Sequence, residues 1–260
     1  MYEIAPELKE RPIFFMKFSK EKWTLESLRK GNLYMNTIGY FKKLEEETKK
    51  RGMGDKDEGA LVLNQLDISL YNYETGNLFL KGFAGRSQIR FEEDCEKHAF
   101  CMCYLDFYNL EIIEEGSNYI KTKTSFSDEQ KKEFKNNFGE HVLIYSCGDF
   151  IENVRRTFEK ENIQWAASKV RYTDFSINYK DRIESYTNGG NDKYFWKDSF
   201  FKNQKEYRII VTNKDSNEPL IINIGDMTRY SHLTTADELF NRGFCVEMHF
   251  DPEKDLTKID

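Results

Sequence analysis

The sequence predicts an α+β fold: one domain with a strongly twisted, mainly antiparallel (split) sheet and several packed helices. Three observations carry this. Strand-like runs follow one another in meanders, with few helical stretches between them. Aromatic residues are 15% of the chain, enough for a core without disulfides or metal. No repeat or low-complexity linker interrupts the 260 residues, so 1–260 reads as a single domain, with about 108–162 as the candidate insertion or subdomain.

Residues 1–12 are polar, carry Pro6 and Pro12, and read as a lead-in. Residues 13–18 (IFFMKF) form a first strand. Ser19 caps a helix to about Lys30, with Trp23, Leu25 and Leu28 turned inward and Gly31 closing it. Residues 33–37 (LYMNT) are the second strand. Arg51 to Gly59, punctured by Gly52, Gly54 and Gly59, reads as a solvated loop bearing Asp55, Asp57 and Glu58, with a ligand-closing loop or a casual divalent-ion site as the alternatives. Its spacing fails as a calcium loop. A meander of three strands is expected over 61–70, 77–83 and 87–91, with a turn at Glu74-Thr75-Gly76-Asn77. Residues 99–107 are the most apolar strand, and His98 is expected at its edge.

Residues 108–125 read as a connection or edge strand. Ser127-Asp128-Glu129-Gln130 fits a capping box, and Thr235 with Glu238 fits a second. Between them come a strand at 142–145 and a helix at 150–161 whose Ile151, Val154 and Phe158 make one stripe. The stretch 165–175 places Lys169 and Arg171 on one strand face. An aromatic, helix-like stretch follows at 193–202. A β-hairpin is expected at 204–224, and a last strand at 244–250.

The formal net charge of -6 argues against a chain whose main task is coating nucleic acid. The five Cys are an odd set with no metal-knuckle spacing, and most of them read as small core residues of a reducing compartment. No basic leader and no apolar run of about 18 residues is present, so a cytoplasmic location and no membrane contact are expected. Nucleotide-binding glycine loops, zinc-protease helices and nucleophile elbows are absent. No metal site is expected.

The candidate chemistry lies in 191–212, NDKYFWKDSFFKNQKEYRIIVT. Strand alternation would place Gln204, Glu206 and Arg208 on one face. Either that face satisfies a strand end by ion pairing, or Glu206 acts on a bound ligand that Gln204 orients. Lys17 or Arg51 would then meet a pyrophosphate, and Tyr34 or Trp196 would flank a ring.

The opening, with Gly31-Asn32-Leu33-Tyr34, and the late Gln204-Lys205-Glu206-Tyr207-Arg208 resemble ADP-ribosyltransferase-like proteins. They resemble more closely a set of bacterial and phage proteins sharing a Gln/Glu-x-Glu-Tyr-Arg strand. The resemblance covers about 50 residues in two pieces. It implies a split-sheet fold, NAD as cofactor, Glu206 as the residue promoting transfer and Gln204 on the substrate side. It also implies Thr37 or Thr173 against a ribose, Lys17 in the place of a first-motif Arg or His, and Arg208 beside the ligand.

Three readings follow. One is NAD-dependent ADP-ribosyl transfer or glycohydrolysis centred on Glu206. A second is a non-enzymatic phage or bacterial protein that binds a host or immunity protein, as an anti-defence factor would, with homo-oligomers also open. The third is a nucleic-acid-interacting protein using Lys169, Arg171, Lys197 and Arg208.

Overall fold

A computed structural model describes residues 6–249. The chain is mixed α/β, with several helices and a largely antiparallel sheet. In order, α1 (Pro6–Lys9), β1 (Phe14–Ser19), α2 (Lys22–Arg29), β2 (Asn32–Thr37) and α3 (Ile38–Thr48) open it. The long strands β3 (Leu61–Tyr71) and β4 (Leu78–Ile89) follow, then α4 (Glu92–Cys95) and β5 (His98–Leu105). Next come β6 (Leu110–Glu115), β7 (Tyr119–Thr124), α5 (Asp128–Asn137), β8 (His141–Ser146) and α6 (Cys147–Lys160). The last part holds β9 (Trp165–Lys169), β10 (Arg171–Thr173), α7 (Lys180–Thr187), β11 (Trp196–Asp198), β12 (Glu206–Val211) and β13 (Leu220–Asn223). β14 (Ser231–Thr235), α8 (Ala236–Arg242) and β15 (Cys245–His249) close it. Phe250, expected in the last strand, and residues 1–5 of the lead-in lie outside the described residues.

The chain divides into two compact units. The first takes residues up to Asn32, Met102–Arg155, and Ile224 onward; the second takes Leu33–Cys101 and Arg156–Asn223.

In the first unit β1 lies between β8 and the end of β5, and β14 pairs with β8, all antiparallel. Met16, Phe18, Val142 and Ile144 pack with Phe134 and Leu239 from α5 and α8. The Phe18 and Phe134 rings stack at 4.7 Å. The capping box at Ser127 forms as the spacing predicts, whereas at Thr235 only half of the expected box forms, because the Glu238 carboxylate accepts from the Thr234 hydroxyl instead. Ser127 and Gln130 satisfy each other's backbone N–H, and Thr235 accepts from the Glu238 N–H. Gly31 has φ +93 and ends α2 as expected; a Cβ there would lie 2.2 Å from the Gly225 carbonyl oxygen. Trp23, expected inward, is 65% exposed, because α2 turns only Leu25 and Leu28 to the core. Residues 108–125 are a true hairpin, β6 on β7, with β15 on the other edge of β7.

In the second unit β12 lies between β5 and β9, and β13 pairs with β2. The expected 204–224 hairpin therefore does not form. β12 takes β9 as its antiparallel neighbour, with Arg208 opposite Ser168. Residues 193–202 contain two 3-10 turns around the short strand β11, which runs parallel to β10. The three-strand meander is instead one hairpin, β3 on β4. Its turn is held by the Asn72 side chain, which accepts from the backbone N–H groups of Glu74 and Thr75. His98 is buried rather than at an edge, with Nε2 donating to the Glu218 carbonyl at 2.8 Å.

Candidate functional site

The most concentrated chemistry is a buried charge hub inside the second unit. Its floor is β12. Lys205 adopts a left-handed backbone, φ 42, at the entrance to the strand. That bend ends the 3-10 turn holding Gln204, so strand alternation begins only at Glu206. Glu206 and Arg208 then point the same way, inward, at 5% and 1% exposure.

The guanidinium of Arg208 sits among three acceptors. Nε donates to Glu206 Oε1 at 2.8 Å, and Nη1 to Glu58 Oε1 and the Tyr194 carbonyl, each at 2.6 Å. Nη2 reaches Glu58 Oε2 at 3.2 Å. Lys197, delivered by β11, donates to Glu206 Oε2 at 2.7 Å and lies 3.9 Å from Glu58 Oε2. Two cations therefore face two carboxylates. Burial works to raise the Glu206 pKa, but Arg208 and Lys197 overcome it and hold this carboxyl well below the usual range. Burial likewise opposes the charge on Arg208, and Glu206 with Glu58 outweighs it, so the arginine is held more firmly protonated.

The Asp55–Glu58 loop is the second wall. It was expected to be solvated; Asp55, Asp57 and Glu58 are all buried. The reason is partners distant in sequence. Glu58 binds Arg208, and Asp57 accepts from Arg86 at 2.8 Å and from Gln88. Gln204 Nε2 donates to the Gly52 carbonyl at 2.8 Å, tying the same loop to the start of β12. Asp55 is the carboxylate beyond the balanced pairs. Burial and then repulsion from Glu58 push its pKa up to about 7.

The other expected ligand residues do not gather here as a binding set. Thr37 caps α3, accepting from the Tyr40 N–H at 3.1 Å. Tyr34 is exposed on β2, and Thr173 is half-buried on β10. Arg51 pairs with Asp198 at 3.0 Å and lies over the Phe200 ring at 4.2 Å. Lys17 belongs to the first unit. Of the four cations of the nucleic-acid reading, Lys197 and Arg208 are sealed in the hub. Arg171 lies 4.4 Å over the Trp196 ring and pairs with Asp192, and Lys169 is half-buried.

Chemically the hub is closed. A carboxylate that stabilises developing charge or takes a proton needs a free oxygen facing the reactant. Both Glu206 oxygens are held by cations, and the residue is out of water. Sequence reasoning missed Glu58, Asp57 and Asp55 as its members. The available signal was the density of acids between glycines, which a merely solvated loop does not require. Among the described residues no cluster of His, Cys, Asp and Glu is arranged to hold a metal ion. No helix among them is long and apolar enough to cross a membrane.

The second unit also carries the long β3–β4 ribbon. Its base is anchored: Asn64 donates to the Phe175 carbonyl at 2.7 Å, and the fully buried Arg182 donates to the Val62 carbonyl at 2.8 Å. Beyond Asn64 the residues are half-buried or exposed. Register puts Leu66, Ile68, Leu70, Leu80 and Ala84 on one face, and Asp67, Ser69, Lys81 and Phe83 on the other. A bulge after Leu70 leads into a tip carrying Tyr71, Tyr73, Leu78 and Phe79. Phe79 is 69% exposed and Phe83 63%.

Comparison with family models, with curated proteins and with solved structures finds no match.

Proposed function

We propose that this chain works by binding protein, with the β3–β4 ribbon as its docking arm. The observation that carries this reading is the ribbon's exposure of aliphatic and aromatic side chains on both faces and at its tip. An isolated two-stranded hairpin is marginal in water. Contiguous exposed apolar surface of this extent marks an interaction site. The closed hub complements the arm: Glu58 and Asp57 bind Arg208 and Arg86, tying the ribbon base to β12 through one loop. The hub then holds the arm's anchor and performs no group transfer.

The test pairs two assays. The purified chain is expected to form a complex of fixed stoichiometry, with itself or with another chain. Phe79→Ser/Phe83→Ser should lose that complex while the chain stays folded, as read by circular dichroism. With NAD, no nicotinamide should be released. Steady nicotinamide release that stops in a folded Glu206→Gln variant would overturn the reading in favour of ADP-ribosyl transfer or NAD glycohydrolysis.

A further inference from the structure

We infer that the occupant of the β3–β4 arm is a second copy of this chain, and that two copies exchange arms about a two-fold axis. This rests on the binding reading above and names the partner.

Two observations select a second copy. The first is charge. The face carrying Phe83 bears one acid, Asp67, and one base, Lys81, in adjacent cross-strand rows. Neither forms an ion pair among the described residues. A face with one charge of each sign is complementary to itself. A two-fold axis passing between the two positions sets Asp67 of each copy over Lys81 of the other. The same axis runs near Phe83, which then meets its own symmetry mate. Such an interface is isologous and closes at two copies, so it makes a dimer and not a filament.

The second observation is area. Ile68, Leu70, Tyr71, Tyr73, Leu78, Phe79, Leu80 and Phe83 are all exposed. At roughly 200 Å² for a fully exposed large side chain, their exposed parts come to on the order of 900 Å². A stable interface takes about 800 Å² from each partner. The aliphatic face alone, with Ile68, Leu70 and Leu80, supplies on the order of 250 Å². One face is therefore too small, and the whole ribbon with its tip is sufficient. An arm that buries its tip together with both faces against the other copy therefore supplies the area a stable dimer needs.

The test is sedimentation equilibrium of the purified full chain across micromolar concentrations. The expected result is twice the chain mass for the natural sequence. Asp67→Lys should weaken the dimer at least tenfold by placing two lysines face to face. Adding Lys81→Asp to it should restore affinity to within about threefold, since the swapped pair is again complementary. Phe79→Ser/Phe83→Ser should give a folded monomer. A monomer for the natural sequence at 100-fold the lowest concentration sinks the second-copy proposal, as does a dimer indifferent to all three variants. If the natural chain is monomeric but holds another protein through the same arm, the occupant is wrong and the binding reading stands. If no arm-dependent complex of either kind forms, both fall.

Discussion

Arg208 Nη1 donates to Glu58 Oε1 at 2.6 Å, although the two residues come from a loop and a strand at opposite ends of the second unit's sequence. Only 1% of the arginine is exposed to water. This bond decides how an acidic loop becomes part of an interior. Burying an unpaired ion costs several kcal/mol, so the loop folds inward only because a cation is already fixed there by β12.

Glu206→Gln tests that account. It removes one of the two carboxylates that balance Lys197 and Arg208. The loss should be about 3 kcal/mol of unfolding free energy, read by urea denaturation, because a buried cation is left under-compensated. Arg155→Ala, which breaks an exposed pair with Glu152, should cost under about 0.5 kcal/mol. Equal effects from the two variants would remove the hub as a structural centre.

Asp55 gives a pH dependence with a definite sign. Its folded pKa is raised to about 7 from 3.8. Between these values the folded chain keeps a proton that the unfolded chain has released. The contribution is complete below about pH 4 and is lost as pH rises through 7. Asp55→Asn should therefore gain stability over the natural chain as pH increases, by up to about 4 kcal/mol at pH 8. Denaturation curves at pH 5 and pH 8 check this; a gap that does not widen with pH refutes it.

Glu206 should produce the opposite slope on the acid side. Its folded pKa is held below the ordinary value of 4.5, so its contribution is complete above that value and fades as pH falls further. In Glu206→Gln this acid-side slope should be reduced, as measured by thermal unfolding between pH 5 and pH 3.

Gly31→Ala should be costly in the first unit. The backbone there is left-handed, and the new Cβ would lie 2.2 Å from the Gly225 carbonyl oxygen. More than about 1 kcal/mol should be lost. Gly190→Ala, where no heavy atom lies within 4 Å of a Cβ, is the neutral control.

The parts of the fold legible from sequence were those set by neighbours. The opening strand, helix and strand, Gly31 at the helix end and the cap at Ser127 all depend on residues a few positions apart. The misreadings share the opposite property. β12 and β13 both read as strands, but their partners, β9 and β2, are chosen by distant packing. The Gln204–Arg208 alternation failed at Lys205, since a lysine carries no sign of a left-handed backbone. The candidate site was half legible: Glu206 and Arg208 do meet, as the ion-pair alternative held. Their third partner lay in a loop that looks solvated until Arg208 is placed beside it.

The separation of Glu58 from Arg208 has a consequence during translation. A ribosome adds about 5–20 residues per second, so the acidic loop emerges on the order of ten seconds before its arginine. Through that interval Glu58 must remain hydrated, and the loop beside the greasy ribbon has no seat on β12. The nascent chain is then most exposed to misassociation just before β12 leaves the exit tunnel, which is where a chaperone would have most to do.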